Sequence, residues 1–476
     1  MNINQFEEII DSLILVEVSN EDIRIKEKIN SLPLKQKRLA ILSILDKDRG
    51  LYIKLKNIIE NSNVSKVEHI KDVVKMIREY VKVGDVEKKK FGEVMTPIEL
   101  VEEMLDTLPI EVWINPNLKW LDPANGVGVF PSVVVNRLMK GLEDFESNEE
   151  LRYKHIVENM IYVCELQPKN MFLHLCSFDP QDIYLLNIFT GSFLSEEFDK
   201  HCKEEWNVDK FDVIVGNPPY QDSETNKVAS RGAKRNLYQK FIVKSLDVYN
   251  KYLIFVNPNG FLKQSNPNKL SEVLISILNN NLKFIKLGIQ KYFKTVNTGE
   301  LCYYIIEKSN NEKLTAIINH ENETIEFDFN KYKFIPTIIH KETFSIIDKI
   351  MNLEDGINLN IQREVKQISD SNFVELKMMN NRLTTLKVEY GDINNYNYMS
   401  NLIMKHSNPL LLKNILNSNI FSYINKIFNY DGCIYHHFLN QFKIPVNLCV
   451  YKDKEIYQIY NLNELEIKLI LTTLKK

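Results

Sequence analysis

The sequence predicts an α/β fold: a parallel, doubly wound sheet, preceded by a helical extension and followed by a mixed α+β region. Three observations carry this. From about residue 91, short apolar runs alternate with helical patterns, the alternation of a parallel sheet with crossover helices. Three of those runs lead into polar side chains, Asp122, Glu165 and Asn217, and open α/β sheets bind ligands beyond the carboxyl ends of their strands. Beyond about residue 310 the alternation is lost.

Residues 1–90 read as helical. Val67, Ile70, Val73, Val74, Ile77 and Val81 recur at three- and four-residue spacing, the period of one helix face. Lys88-Lys89-Lys90 closes this part. Thr96-Pro97 predicts a helix start running through Leu105, with Thr96 as N-cap and Glu99 three residues on. Strands are expected to end at Asp122 (from Trp120) and at Glu165 (from Ile161), and to run from Phe211 to Val215, Tyr252 to Asn257 and Leu301 to Ile306, with a helix from Phe130 to Leu142. The expected domains are 1–90, 91–310 and 311–476. No internal repeat is visible.

A chain of 476 residues suits two or three domains. Its formal net charge is only −3, but the charge is uneven. Residues 221–300 carry thirteen Lys and Arg against five Asp and Glu, a net +8. Such a stretch suits a polyanion partner, or forms a solvated face. Residues 93–212 carry 23 Asp and Glu against nine Lys and Arg. Six scattered cysteines with no Cys-x-x-Cys pair argue against a zinc site and a disulfide framework, so no metal is expected. The start is polar and acidic, and no apolar run reaches membrane-spanning length. The expectation is a soluble, intracellular (cytoplasmic) chain.

Two motifs carry chemistry. Leu121-Asp122-Pro123-Ala124-Asn125-Gly126-Val127-Gly128 is a strand followed by a Gly-rich turn. It lacks the third glycine of the dinucleotide fingerprint, and Glu165 lies well beyond the acidic offset of about 20 residues expected there; this disfavours NAD. Asn217-Pro218-Pro219-Tyr220 follows an apolar strand and presents hydrogen-bond acceptors beside an aromatic face. Methylation of a planar exocyclic amine needs that combination.

Together these motifs resemble the N6-adenine DNA methyltransferases of restriction–modification systems, in the gamma order with cofactor turn first and catalytic knuckle second. The resemblance covers residues 90–310. It implies a Rossmann-like, S-adenosylmethionine-dependent methyltransferase sheet. Pro123, Ala124, Gly126 and Gly128 would form the cofactor turn, Asp122 would face the methionine end, and Glu165 would take both ribose hydroxyls. Phe91-Gly92-Glu93-Val94-Met95-Thr96-Pro97 resembles the family motif that closes over the methionine moiety, so Thr96 joins the cofactor set. Ser192, in Thr190-Gly191-Ser192-Phe193-Leu194, stands where the family has an acidic contact to the cofactor adenine, with Asp182 the alternative.

On the same resemblance, Asn217 and the Pro218 carbonyl accept the two N–H bonds of the target amine, Pro219 completes the knuckle, and Tyr220 stacks on a flipped-out adenine. Transfer is a direct in-line displacement with no covalent enzyme intermediate; the chain lacks the Pro-Cys nucleophile of cytosine C5 enzymes. Phe293 is either the second stacking aromatic or a core residue. Arg231, Lys234 and Arg235 would touch the DNA backbone. The region beyond 310 is implied to be the target-recognition domain, with 431–438 and 442–445 resembling its loop-rich ends. Double-stranded DNA is the implied partner, beside a separate cognate restriction endonuclease. Other readings stay open: a single-chain restriction–methylation enzyme, for which Glu21-Asp22 and Ile25-Lys26-Glu27-Lys28 are the nearest nuclease candidates, an RNA or protein amino-methyltransferase, and a non-catalytic DNA-binding module.

Overall fold

The structure is a computed structural model that describes residues 9–11, 13, 23–45, 56, 73–75, 77, 96–220, 237–262, 264–266, 269–270, 272–293, 301–308, 314–328, 331–332, 334–363, 373–377, 387–389, 402–405, 409–428, 439–447 and 451–475. Two compact units interleave along the chain. One comprises Met1–Asn257, Lys291–Val296 and Tyr303–Asn310; the other comprises Pro258–Gln290, Asn297–Cys302 and Asn311–Lys476.

The strands that position the site are β1 (Trp120–Asp122), β2 (Ile161–Glu165), β3 (Asn187–Thr190), β4 (Phe211–Gly216) and β5 (Tyr249–Pro258). After a small hairpin, β6 (Gln264–Asn266) with β7 (Lys269–Leu270), come β8 (Leu282–Leu287), β9 (Leu301–Glu307), β10 (Leu314–Ile318) and β11 (Thr324–Asp328). In the first unit the strand order is β9-β5-β4-β1-β2-β3. The pairs β4–β5, β1–β4, β1–β2 and β2–β3 are all parallel. β1 and β2 are buried along their whole length, which is why they read as unbroken apolar runs rather than alternating ones.

The helices of this unit include α1 (Ile23–Asn30), α2 (Leu34–Leu45), α3 (Ile98–Leu105), α4 (Val129–Gly141), α5 (Pro168–Phe178), α6 (Glu196–Glu204) and α7 (Leu237–Val248). The helical reading of the N-terminal part holds where it is described: Val73, Val74 and Ile77 are helical and buried, while Val67, Ile70, Val81 and Lys88-Lys89-Lys90 lie outside the described residues. Arg38 on α2 is buried and donates to the Asp179 and Pro180 carbonyls, which ties this extension to the sheet unit.

In the second unit β8 pairs β10 in parallel, and β10 pairs β11 antiparallel. A parallel pair needs a crossover connection, and the β8–β10 pair joins residues from both sides of position 310. Further on lie a sheet ordered Ile361–Arg363, Leu402–Lys405, Phe373–Lys377, Lys387–Glu389, and helices such as Asn419–Ile427 and Glu464–Lys475. Mixed α+β content there matches the expectation for the C-terminal part.

Candidate functional site

Register brings the three polar strand ends together. Asp122 on β1 is opposite Val163 on β2, so Glu165 reaches two residues further. Leu121 is opposite Ile214 on β4, so Asn217 follows just past the end of that strand. The turn 123–128 fills the space between them.

That turn is built by its own polar groups. Oδ1 of Asp122 accepts the Ala124 N–H (3.0 Å), and the Asn125 N–H donates to the Cys164 carbonyl on β2 (2.9 Å). Gly126 has φ 56°, and a Cβ there would meet no atom within 4 Å: its α-carbon faces open space. Gly128, with φ 94°, precedes α4, and a Cβ there would come within 2.8 Å of His174 Nδ1 and Phe178 Cε2. These two glycines serve different needs, one an open approach and the other a close packing.

Glu165 holds the turn from the other side. Its Oε2 accepts the Gly126 N–H and its Oε1 the Gln167 N–H, each at 2.7 Å. A carboxylate oxygen has two lone pairs, so both oxygens retain acceptor capacity while the backbone bonds fix their direction. Glu165 is opposite Thr190 on β3, which brings Gly191 and Ser192 alongside it; the Gly191 N–H donates to the Glu165 carbonyl (2.9 Å). Ser192 Oγ accepts the Leu194 N–H (3.2 Å). Lys244 on α7 supports this loop by donating to the Ser195 carbonyl (3.0 Å) and pairing with Asp199 (2.7 Å).

Asp122 is almost fully buried, and its Oδ2 has no hydrogen-bond partner among the described residues. Burial raises its pKa to about 8; the Ala124 N–H opposes that rise and the Glu165 charge adds to it. Gly216 leaves room for it, since a Cβ there would lie 3.0 Å from Oδ1. Beneath Gly128, His174 stacks on Phe178 with centroids 4.2 Å apart, and burial lowers its pKa to about 3, so it is neutral.

At the Asn-Pro-Pro-Tyr knuckle, Nδ2 of Asn217 donates to Thr96 Oγ1 (3.1 Å), and the Tyr220 hydroxyl donates to Asn217 Oδ1 (2.8 Å). Thr96 is therefore not the helix cap expected of it. The N-cap position is Pro97, with no side-chain cap bond, because the Thr96 hydroxyl is turned to Asn217 instead. α3 is anchored on both flanks: Arg137 of α4 pairs with Glu102 and Asp106, and the Tyr292 and Tyr303 hydroxyls donate to Glu103 (2.6 and 3.0 Å).

One cavity gathers most of the expected residues: Thr96, Pro123, Ala124, Gly126, Glu165, Ser192, Asn217 and Pro219 line it. Asp122, Gly128, Pro218 and Tyr220 lie outside its lining, as does Asp182, the alternative to Ser192. Phe293 is buried and outside the lining too. Arg231, Lys234 and Arg235 lie outside the described residues. Sequence reasoning missed Asn125, Leu166, Gln167 and Asn170 as lining residues, and Phe241 of α7. Gln167-Pro168 was a legible signal, because Pro at N1 starts a helix directly after the strand that ends at Glu165.

The donor set fits a nucleoside with a charged tail: a carboxylate beside the open Gly126 for a diol, apolar Pro123, Leu166, Phe193 and Leu194 for a purine, and an unpartnered buried Asp122 oxygen at the turn.

Residues 132–293 match the family described as Eco57I restriction-modification methylase. An "uncharacterized adenine-specific methylase" of Mycoplasma pneumoniae is 26% identical over 320 residues, covering 52% of this chain and 75% of that protein. The "type II restriction enzyme and methyltransferase RM.Eco57I" of Escherichia coli is 26% identical over 278 residues, 52% of this chain but only 25% of that protein. A modification subunit of a putative type I restriction enzyme from Vibrio vulnificus YJ016 is similar in structure, with TM-score 0.39 and 18% identity; the match covers 54% of this chain and about half, 53%, of that one. Among the described residues no helix is long and apolar enough to cross a membrane. Turn, knuckle and family match point the same way: residues 132–293 match the Eco57I restriction-modification methylase family, and about half of the chain is similar to adenine-specific, restriction–modification methyltransferases.

Proposed function

We propose that the chain methylates the exocyclic N6 amine of adenine at specific sites in double-stranded DNA. The observation that carries this reading is the Asn217 carboxamide on the wall of the cavity that also holds Gly126 and Glu165. When bound, S-adenosylmethionine supplies an electrophilic methyl group on a cationic sulfonium. The residues of the chain do the rest.

Glu165 and the turn 123–128 hold the nucleoside half, and Thr96 and Asp122 serve the amino-acid half. The target amine is a weak nucleophile because its lone pair is delocalised into the ring. Asn217 Oδ1 and the Pro218 carbonyl accept its two N–H bonds, favouring a pyramidal nitrogen whose lone pair points at the methyl. In-line attack would break the bond between methyl and sulfur and release a neutral thioether, and the methylated nitrogen would then lose a proton to solvent. Duplex DNA hides this amine, so the base is flipped out at a cost of a few kcal/mol. The Tyr220 ring offers a stacking face that returns about 1–3 kcal/mol. The basic residues 221–300 suit the phosphate backbone, the part beyond 310 is the proposed recognition region, and a separate restriction endonuclease is the proposed companion.

The test is methyl transfer from labelled cofactor to duplex DNA, with base-resolved detection of N6-methyladenine. Wild-type protein should mark adenine in one sequence context. Asn217→Ala should abolish transfer while leaving cofactor affinity within about threefold, since the amine acceptor is lost and the turn is not. Transfer to RNA or protein in place of DNA, or full activity of Asn217→Ala, would overturn the reading.

A further inference from the structure

The Asn217 carboxamide is held between two hydroxyls. Its Nδ2 donates to Thr96 Oγ1 (3.1 Å), and its Oδ1 accepts from the Tyr220 hydroxyl (2.8 Å). Thr96 is 5% exposed and Tyr220 is 8% exposed, so neither bond is a loose surface contact. The two ends of a primary amide are nearly the same shape, but one only donates and the other only accepts. A hydroxyl can do either. Two hydroxyls alone therefore do not decide which end of the amide faces the reacting amine.

The decision rests on where the Thr96 hydrogen goes. Among the described residues, the Thr96 hydroxyl makes one hydrogen bond, and in it the oxygen accepts. Its hydrogen is left to donate, and Thr96 lines the same cavity as Asn217. A carboxylate is an acceptor only. When an amino-acid carboxylate in that cavity takes the Thr96 hydrogen, only lone pairs remain for Asn217. Nδ2 must then stay on Thr96, and Oδ1 must face away from it, where the amine is to bind.

Resting on the adenine-methylation reading above, we infer that Thr96 is a positioning residue that fixes the direction of the Asn217 carboxamide, and that the Tyr220 hydroxyl caps its acceptor end until the target amine displaces it. Cofactor binding and catalytic geometry are thereby joined through one hydroxyl. A role in holding cofactor alone would leave Asn217 unaffected.

The experiment uses the full chain, with cofactor affinity read by calorimetry and kcat read at saturating cofactor and DNA. Thr96→Val keeps the shape and removes the hydroxyl. It should lower kcat about tenfold or more, beyond any loss of affinity, because the carboxamide loses the acceptor that holds its donor end away from the amine. Thr96→Ser restores the hydroxyl and should return kcat to within about threefold of wild type. Thermal melts check folding, and Thr96→Ala stands in with the same expected loss if Thr96→Val does not fold. Thr96→Val with weakened cofactor binding but wild-type kcat at saturation would overturn the positioning role, as would a folded Thr96→Ser that fails to rescue. If the wild type itself binds no cofactor or marks no adenine, the methylation reading falls first; an active wild type with an unaffected Thr96→Val removes the positioning role alone.

Discussion

Glu165 and Asp122 are two carboxylates on neighbouring strand ends with opposite circumstances. Both Glu165 oxygens are aimed by backbone N–H groups, so Glu165→Ala removes the proposed ribose contact and loosens the turn as well. Cofactor affinity should fall by roughly 1.5–3 kcal/mol, and Glu165→Gln, which keeps one acceptor oxygen, should fall less. Calorimetry decides; unchanged affinity in Glu165→Ala would remove this residue from the cofactor site. Asp122 is buried with one oxygen unpartnered, and its pKa is raised from 3.8 to about 8. Between those values the folded chain holds a proton that the unfolded chain has lost, so this group's contribution to stability falls as pH rises through that window. Asp122→Asn keeps the acceptor for the Ala124 N–H and removes the titration. The variant should therefore gain stability relative to wild type between pH 5 and pH 8, measured by denaturant unfolding of the cofactor-free protein. A difference that does not change with pH would place the proton elsewhere.

At the scale of elements, the strand-to-helix turn depends on Gly128 more than its spelling suggests. Its φ of 94° and the His174 and Phe178 rings 2.8 Å from a would-be Cβ both exclude a side chain. Gly128→Ala should cost about 1–3 kcal/mol in strain and displaced packing and weaken cofactor binding, because α4 and the turn shift together. Thermal melting and calorimetry on the same variant check both. Gly126, which meets no atom, was indistinguishable from Gly128 in the motif, since spacing records the turn and not what packs beneath it. The strands ending at Asp122 and Glu165 were legible for a simple reason: a strand buried along its whole length reads as an apolar run, so its polar terminus stands out. Thr96 was misread as a cap because local rules weigh only the neighbouring helix, and its actual partner, Asn217, lies 121 positions away.

For the whole molecule, the interleaving of the two units changes what a truncation does. The residues proposed to bind cofactor all precede position 310, yet a chain ended there does not keep every strand pairing. It would lose β10, and with it the parallel pairing of β8 and the Thr315 hydroxyl on the Leu282 carbonyl (2.6 Å). An edge strand left unpaired invites aggregation. The 1–310 fragment should therefore be insoluble or melt well below the full chain, as light scattering and thermal scans would tell. A soluble fragment with wild-type cofactor affinity would show that β8 does not need β10.

The amino-acid sequence by itself determined the parallel α/β sheet, the polar strand ends and the two motifs, because burial period and turn chemistry act over a few residues. Its motifs pointed to the cofactor class and to the amide proposed to be catalytic. The tertiary structure alone decided which of these residues meet. It put the Thr96 hydroxyl on Asn217, turned both Glu165 oxygens to the backbone of the turn, buried Phe293, and joined residues on both sides of position 310 in one sheet. Such contacts depend on strand register and on side chains far apart in sequence, and no local pattern of polarity encodes them.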